Sequence, residues 1–161
     1  MSFRDNGDGT ITDNSTGLMW EKKSGPGSGF HNVTLTFSWS QPGQSGTAPD
    51  GTAFTEFLPR LNGTGPPPFA GHTDWRLPTV EELQSIVDRS RPNPGPFIDP
   101  IFGDTQSFYY WSNTNANNLG PNNPYYALCV NFGYVTNIYP AIQNGHKVES
   151  YRCYYRAVRG P

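Results

Sequence analysis

The sequence has no long apolar run, and only 34% of its 161 residues are apolar. A membrane-spanning helix needs about 20 consecutive apolar residues, so we expect no membrane insertion. The first residues include no apolar segment typical of a signal peptide, so the route of secretion, if there is one, is not visible in the sequence. Charged residues are also few, at 15%, and the net charge of −2 gives no reason to expect a nucleic-acid partner.

Long uninterrupted helices are excluded as well, because 18 glycines and 16 prolines make up about a fifth of the chain. This composition rules out a helical bundle and a coiled coil. Aromatic residues reach 14%, which a disordered chain would not carry. The length suits one ordinary domain, so we predict a single domain over residues 1–161 with an aromatic core wrapped by loops.

The spacing of apolar residues predicts two helices. The first depends on five residues that share one helical face: Ala53, Phe54, Phe57, Leu58 and Leu61. Pro59 should kink or shorten this helix, because proline removes a backbone donor. Thr79 and Glu82 form a capping box, which predicts a second helix from about Val80 to about Arg89.

Short strands are predicted on both sides of these helices. Near the N-terminus, turn residues separate two short strands around Ile11 and Trp20, and residues 33–37 alternate as a strand would. Further strands are predicted at residues 109–111, 126–132, 135–139 and 154–159. Helices followed by an antiparallel sheet indicate an α+β fold.

Acidic and amide side chains cluster near the N-terminus, at Asp5, Asn6, Asp8 and Asp13. They could supply oxygen ligands to calcium, but their spacing does not fit the EF-hand loop. Turn formation is the favoured interpretation, so we predict no metal site there. The histidines are isolated along the sequence and the two cysteines match no zinc-site spacing, so no zinc is predicted either.

Local motifs for catalysis are missing. The sequence has no nucleophile elbow, no phosphate-binding loop and no dinucleotide fingerprint, so we predict neither an enzyme nor a cofactor. Cys129 and Cys153 fall on predicted strands, and antiparallel pairing could bring them to bridging distance. A disulfide and a pair of free thiols both remain open at this point.

The last third of the chain differs sharply from the rest. Residues 1–108 have twelve acidic against seven basic side chains, whereas residues 109–161 have four basic side chains and the single acid Glu149. All nine tyrosines and nine of the fourteen asparagines lie in this second segment. Tyrosine offers a large rigid contact and asparagine adaptable hydrogen bonds, as in paratopes. An ordinary tyrosine-rich sheet would share these residues, but the shortage of acids favours a binding surface.

Several motifs together resemble a known domain family over nearly the whole chain. They occupy residues 5–13, 16–20, 74–79, 82–83, 87–88, 110–112 and 156–160. In this order they resemble the domain family found at the C-terminus of the Legionella collagen-like adhesin. The resemblance implies a C-type-lectin-like fold, with two helices flanking a twisted antiparallel sheet and the chain ends close together.

The same resemblance has one departure. Family members often carry one cysteine in the first helix and another near the C-terminus, whereas this chain has residues 55–57 and Ala157 at those places. The family's usual bridge is therefore absent here. Cys129 and Cys153 cannot take over its role.

The asparagine- and tyrosine-rich segment also resembles the variable proteins of diversity-generating retroelements, which include a viral member. In those proteins, adenine-directed mutagenesis changes codons near the C-terminus, and the variable residues form a ligand-binding surface on a fixed lectin-like scaffold. The resemblance implies that residues 109–154 bind a protein or cell-surface ligand, and that the protein is displayed on a virion or a cell. The oligomeric state is not predicted.

Candidate contact residues follow from this interpretation. They are Asn113, Asn115, Asn117, Asn118, Tyr125, Leu128, Tyr134, Thr136, Ile138, Tyr139, Asn144, His146 and Tyr151. Trp111, Val130, Phe132 and Val158 are assigned to the core instead. Strand alternation does not decide whether Leu128 or its neighbour Cys129 faces outward.

Two other functions are weighed against this one. The adhesin resemblance implies binding of an anionic polysaccharide, for which the positive surface would come from Lys147, Arg152, Arg156 and Arg159. A remoter alternative is an enzyme, because formylglycine-generating enzymes have a related fold and use cysteines. It is the weakest of the three, since the cysteines lie in predicted strands without a metal or redox motif.

Overall fold

Two four-stranded sheets organise the part of the chain that the computed structural model describes, which is residues 2–27, 29–43, 46–116, 124–134, 142–148 and 153–161. The strands are β1 (Phe3–Asp5), β2 (Thr10–Asp13), β3 (Met19–Glu21), β4 (Tyr109–Asn115), β5 (Tyr126–Asn131), β6 (Ile142–His146), β7 (Cys153–Tyr154) and β8 (Val158–Arg159). A π-helical turn (Ala53–Phe57) leads into α1 (Leu58–Leu61), and α2 spans Val80–Ser85. Three short 3-10 turns complete the elements: Gly29–His31, Phe69–Gly71 and Pro100–Phe102. The α+β class is confirmed.

The first sheet joins the two ends of the chain. Its order is β1-β2-β3-β8, and every pair is antiparallel. Trp20 in β3 pairs with Val158 in β8, so strands from both ends of the sequence share one sheet. The sequence predicts only two strands near the N-terminus and misses β1, because this strand has only three residues and two of them are charged and exposed.

Aspartate side chains close the turns of this sheet. Asp8 Oδ1 accepts from Thr10 N at 3.0 Å, and Asp13 Oδ1 accepts from Ser15 N at 2.8 Å. Asp5 Oδ1 accepts in the same way from Gly7 N at 3.0 Å. The interpretation of these aspartates as turn formers is therefore confirmed.

The second sheet has the order β6-β5-β4-β7. β4 pairs antiparallel with β5 and parallel with β7, and β5 pairs antiparallel with β6. The strands predicted at 109–111 and 126–132 are confirmed, whereas the one predicted at 135–139 lies outside the described residues.

Two strand predictions are wrong. Residues 154–159 do not form one strand, because the chain leaves the second sheet after β7 and enters the first sheet at β8. Arg156, in the segment between these two strands, is buried. Residues 33–37 form no strand, because they follow a turn in which Asn32 Oδ1 accepts from Thr34 N at 2.8 Å and Asn32 O accepts from Leu35 N.

The helices begin where the sequence predicts but do not all end there. Pro59 lies in the first turn of α1, where its missing N–H is tolerated. At α2, Thr79 Oγ1 accepts from Glu82 N at 3.2 Å and Glu82 Oε2 accepts from Thr79 N at 2.8 Å, so the capping box is confirmed. The predicted end near Arg89 is wrong, because the Asp88 N–H donates to Phe97 O at 2.8 Å instead of continuing the helix.

Alternate residues of β4 contribute to two separate core clusters. Tyr110 belongs to the first cluster with Leu83 of α2, whereas Trp111 belongs to the second with Phe57 and Leu61. The predicted burial is confirmed for a set of residues that are all less than 9% exposed: Trp75, Leu77, Leu83, Val87, Trp111, Val130, Phe132 and Val158. Successive strand residues point to opposite faces, so both faces of this sheet carry core residues.

Candidate ligand-binding surface

Seven of the thirteen candidate contact residues lie in the described part of the chain. These are Asn113, Asn115, Tyr125, Leu128, Tyr134, Asn144 and His146. The other six lie outside the described residues: Asn117, Asn118, Thr136, Ile138, Tyr139 and Tyr151. The seven do not form one patch, since the second sheet places them at its two ends and in its middle.

One end of the second sheet brings three candidates together, and we call Asn115, Tyr125 and His146 the Tyr125 surface. Asn115 ends β4, and Tyr126 pairs with His146 across β5 and β6. The rings of Tyr125 and His146 are nearly parallel, with 9° between their planes and 6.3 Å between their centroids. Tyr125 is 47% exposed, so this surface presents a flat aromatic face to solvent.

Lys147 lies directly beneath the Tyr125 surface and is only 2% exposed. Its Nζ donates to Asn115 Oδ1 at 2.7 Å and to Thr47 O at 3.0 Å, and it lies 4.1 Å from the centroid of the Trp39 ring. Two of the three N–H groups of the ammonium therefore donate to oxygen atoms, and the Trp39 ring stabilises its charge. Burial lowers the pKa of Lys147. This lysine therefore supports the surface without forming part of it.

The backbone around Lys147 fixes the same corner. Lys147 N donates to Tyr125 O at 2.9 Å, and Ser40 N donates to Lys147 O at 3.0 Å. Trp39 Nε1 donates to Ser112 O at 3.0 Å, which ties the loop before residue 50 to β4. Sequence reasoning misses the part played by this loop, because nothing local connects Thr47 to a lysine 100 residues later.

Two candidates in the middle of the sheet, Leu128 and Asn113, contact the scaffold. Leu128 pairs with Asn144 and packs, half-buried, against the first core cluster. Cys129 is buried in the second cluster, so of these two neighbours Leu128 is the more exposed. Asn113 is exposed, yet its N–H donates to Pro78 O at 2.9 Å and its Nδ2 to Leu77 O at 3.4 Å.

Tyr134 lies near the opposite end of the sheet and is 58% exposed. Tyr109, at that end of β4, is six residues from Asn115, which corresponds to about 20 Å along a strand. Phe108 is 40% exposed there and packs edge-on against Tyr109 at 4.7 Å. Phe108 is not among the candidate contact residues, although an aromatic residue just before a strand is a usable signal. Tyr134 and the Tyr125 surface therefore lie too far apart to act as one small patch.

The positive surface expected for a polysaccharide is not formed by the residues assigned to it. Lys147 and Arg156 are buried, and Arg159 Nε donates to Asp74 Oδ1 at 2.7 Å. Arg152 lies outside the described residues. The expectation is wrong for Lys147 and Arg156, because their charged groups are buried and donate hydrogen bonds to backbone carbonyls and polar side chains.

Glu21 is the centre of a buried ionic network. Lys23 Nζ donates to its Oε1 at 2.8 Å, His31 Nδ1 donates to the same oxygen at 2.7 Å, and Ala157 N donates to Oε2 at 3.0 Å. Burial favours the neutral acid, but the Lys23 ammonium and the hydrogen bond from His31 outweigh it and lower the pKa of Glu21 to about 2. Arg156 adds a further link, since its Nη1 donates to Glu21 O at 2.8 Å and to Phe102 O at 2.9 Å. The network joins the first sheet to the core.

The two cysteines are free thiols whose sulfur atoms lie 3.4 Å apart. Both are buried, one on each of the two strands that flank β4. Burial raises the pKa of Cys129 well above its ordinary value, and the neighbouring Cys153 raises it further. A thiol of this kind is a poor nucleophile at neutral pH.

Two kinds of feature are missing from the described ranges. There, no three histidine, cysteine, aspartate or glutamate side chains are grouped in a way that could hold a metal ion. In the same part of the chain, no helix has the length and apolar character needed to cross a bilayer.

Comparison with known proteins gives one match. The family model described as the Lcl C-terminal domain matches residues 9–159, a range that includes every strand from β2 to β8. No curated protein and no solved structure matches the chain.

Proposed function

Since the chain belongs to the Lcl C-terminal domain family, as its motifs predict, we propose that it is a non-enzymatic, adhesin-like module that binds an external ligand. In this proposal the scaffold is C-type-lectin-like and residues 109–154 provide the binding surface. The ligand is a protein or another cell-surface molecule. The observation that carries the proposal is the parallel pair formed by the exposed Tyr125 and the half-buried His146 at the end of the second sheet.

A rigid aromatic pair is well suited to recognition. Tyrosine has few torsions to freeze, so it loses little entropy when a partner covers it. The ring of His146 is enclosed by a second tyrosine, since Tyr126 packs edge-on against it at 5.1 Å. Aromatic residues held in this way are the ones that dominate binding energy in many interfaces.

The proposal also separates a variable surface from a constant support. Tyr125 and His146 lie at the surface, whereas Lys147, Trp39 and Thr47 hold their backbone from below. Exchange of the surface side chains would leave these supporting contacts in place. Such an arrangement suits a diversified ligand-binding segment of the kind found in diversity-generating retroelements.

Two observations favour binding over the alternatives. Burial raises the pKa of the Cys129 thiol, so this residue suits a packing role better than a catalytic one. For a polysaccharide, three of the four assigned cations are described, and of these Lys147 and Arg156 are buried while the partly exposed Arg159 is already paired with Asp74. A steeply salt-dependent interaction needs several unpaired cations on one face.

A display library tests the proposed surface. The library varies Tyr125 and His146, and a matched control library varies the exposed residues Glu56 and Glu81. With streptavidin as the target, we expect binders from the first library and equal folded yield from both. Misfolding of most variants in the first library would show that these side chains are structural and would contradict the proposal.

Genomic sequence tests the diversification itself. We expect a reverse transcriptase gene near the coding sequence, together with a second copy of the 3′ segment that differs at adenines. The differences should fall in codons for the candidate contact residues and spare Trp111 and Lys147. A neighbourhood without such a copy would remove the diversification from the proposal and leave a fixed adhesin-like module.

A further inference from the structure

A small cavity lies apart from the Tyr125 surface, between α1, the turn Gly29–His31 and the loop that leads into Phe69. Its volume is about 180 Å³, and an apolar cavity of about 150 Å³ is already large enough to bind benzene. Most of its lining is apolar: Phe30, Leu61, Pro66, Pro67 and Phe69. The cavity therefore has room for a single six-membered ring.

His31 gives this cavity one oriented polar atom. Its Nδ1 donates to Glu21 Oε1 at 2.7 Å, and Glu21 is fully buried, so this edge of the ring faces the interior. The His31 side chain is nevertheless 30% exposed and lines the cavity, so its exposed part is the opposite edge, which includes Nε2. Lys23 and Arg156 already place two positive charges around Glu21, which disfavours a third on His31. Nε2 is then an unprotonated acceptor, with no partner among the described contacts.

Arg60 is the second polar group of the lining, and Phe30 connects it to His31. The guanidinium carbon of Arg60 lies 4.4 Å from the centroid of the Phe30 ring, and the centroid of the His31 ring lies 6.3 Å from the same point. Arg60 is exposed and makes no ion pair among the described residues. The cavity therefore has one acceptor at an aromatic wall and a positive charge at its rim.

These two groups restrict the chemistry of a ring that could enter. A carboxylate, an ether or a hydrocarbon offers no donor to His31 Nε2, and a cationic ring would be repelled by Arg60. A phenol meets both conditions, because it is neutral and its O–H is a donor. We infer that the cavity binds a phenol ring, with its hydroxyl group on His31 Nε2 and its ring against Phe30 and Phe69. A tyrosine side chain of a partner and a free phenolic compound share this chemistry.

The core holds the aromatic walls in place. Phe30 packs against Phe57 with 5.5 Å between ring centroids, and Phe69 packs against Trp75 at 4.9 Å. Phe57 and Trp75 are both buried, and Trp75 Nε1 donates to Phe69 O at 3.0 Å. A site whose walls are fixed in this way loses little entropy when a ligand enters. The cavity shares no residue with the Tyr125 surface, so this inference and the proposed function can fail separately.

An NMR titration of the wild-type protein tests the ligand class, with the amide signals of Phe30, His31 and Phe69 as reporters. We expect p-cresol to bind in the millimolar range, and toluene, p-methylanisole and p-toluate to bind at least about tenfold more weakly, because each lacks the donor. Failure of p-cresol to shift these signals at millimolar concentration, or equal binding of all four compounds, would overturn the inference. This series needs no variant, so a folding defect cannot obscure it.

N-acetyl-L-tyrosinamide distinguishes the two sources of the ring. Binding as tight as that of p-cresol would support a tyrosine side chain of a partner as the ligand, since the backbone then does not block entry. Binding of p-cresol alone would support a free phenolic compound.

Substitutions test the role of His31. His31→Phe keeps a ring but removes the acceptor, so it should weaken p-cresol binding by about tenfold or more, to the level of toluene. His72→Phe, outside the cavity lining, is the control and should leave the affinity unchanged. The thermal midpoint of each unliganded variant checks that it folds, and His31→Asn, which keeps a donor toward Glu21 but has no atom at Nε2, serves if His31→Phe does not fold. Full affinity for p-cresol in a folded His31 variant would overturn the assignment.

Discussion

Single residues decide which parts of the proposed binding segment can be exchanged without loss of support. Asn115 is exposed and has the composition expected of a contact residue, yet its side-chain oxygen accepts from the buried ammonium of Lys147. The residue therefore belongs partly to the scaffold. Tyr125 and His146 have no comparable bond to a buried charge among the described contacts, so they are freer to change.

We predict that Asn115→Ala destabilises the protein by about 1–3 kcal/mol, because the Lys147 ammonium then loses a hydrogen bond in a buried position. Asn113→Ala is the matched control and should change stability by no more than about 0.5 kcal/mol, since Asn113 makes one long side-chain hydrogen bond. Urea denaturation measures both. Equal effects of the two substitutions would contradict the support assigned to Asn115.

A second residue-scale prediction concerns Gly145. A Cβ at this position would lie 2.6 Å from Cys129 Sγ and 2.6 Å from the Trp111 ring. We therefore expect Gly145→Ala to lower stability by about 1–3 kcal/mol through overpacking. Urea denaturation is the measurement, and Cys129→Ala in the same chain should recover part of the loss. An unchanged midpoint in the single variant would show that Trp111 and Cys129 move aside freely.

Contacts of this kind could not be predicted from the sequence. Charged side chains are mostly exposed in proteins, so Glu21, Lys147 and Arg156 are expected at the surface. Their burial depends on partners distant in the chain, such as Phe102 for Arg156. The aspartate turns were predictable, because Asp8 and Asp13 bond to backbone only two residues away.

At the scale of the elements, local signals fix where α2 begins and distant ones fix where it ends. The capping box lies within four residues and is visible in the sequence. The end depends on Phe97, whose carbonyl accepts from Asp88, and no pattern near residue 88 shows this. The crossing of the chain from β7 to β8 is equally invisible, because alternation is the same whichever sheet a strand joins.

We predict that Leu83→Ala destabilises the protein by about 2–5 kcal/mol, because Leu83 is fully buried and α2 packs on the second sheet through it. Glu81→Ala on the same helix is the control, since Glu81 is exposed. Thermal and urea unfolding measure both variants. A midpoint that Leu83→Ala leaves unchanged would mean that α2 does not dock as described.

At the scale of the whole molecule, the Glu21 network makes stability depend on acid pH. The pKa of Glu21 is about 2 in the folded state, against an ordinary value of 4.5, so the unfolded chain takes up this proton more readily. The stabilisation is complete above about pH 4.5 and is lost as the pH falls toward 2, by about 3 kcal/mol in total.

Urea denaturation between pH 7 and pH 2 checks this prediction. Glu21→Gln should be less stable at pH 7, because Lys23 then lacks its buried counter-ion, and should lose less stability on acidification than the wild type does. Glu82→Gln is the control, since Glu82 pairs with Arg76 at a partly exposed position and should change the pH dependence less. Identical acid profiles for wild type and Glu21→Gln would refute the assignment.

The pairing of Trp20 with Val158 has a consequence for the order of events during synthesis. β1, β2 and β3 can form a meander as soon as the N-terminal residues leave the ribosome, because their contacts are local. The edge of β3 then stays unpaired until β8 has been synthesised, because Val158 follows its partner Trp20 by 138 residues. Contacts between such distant residues slow folding, and an open strand edge invites pairing with other chains. The nascent domain is therefore most exposed to misassembly just before β8 closes the first sheet.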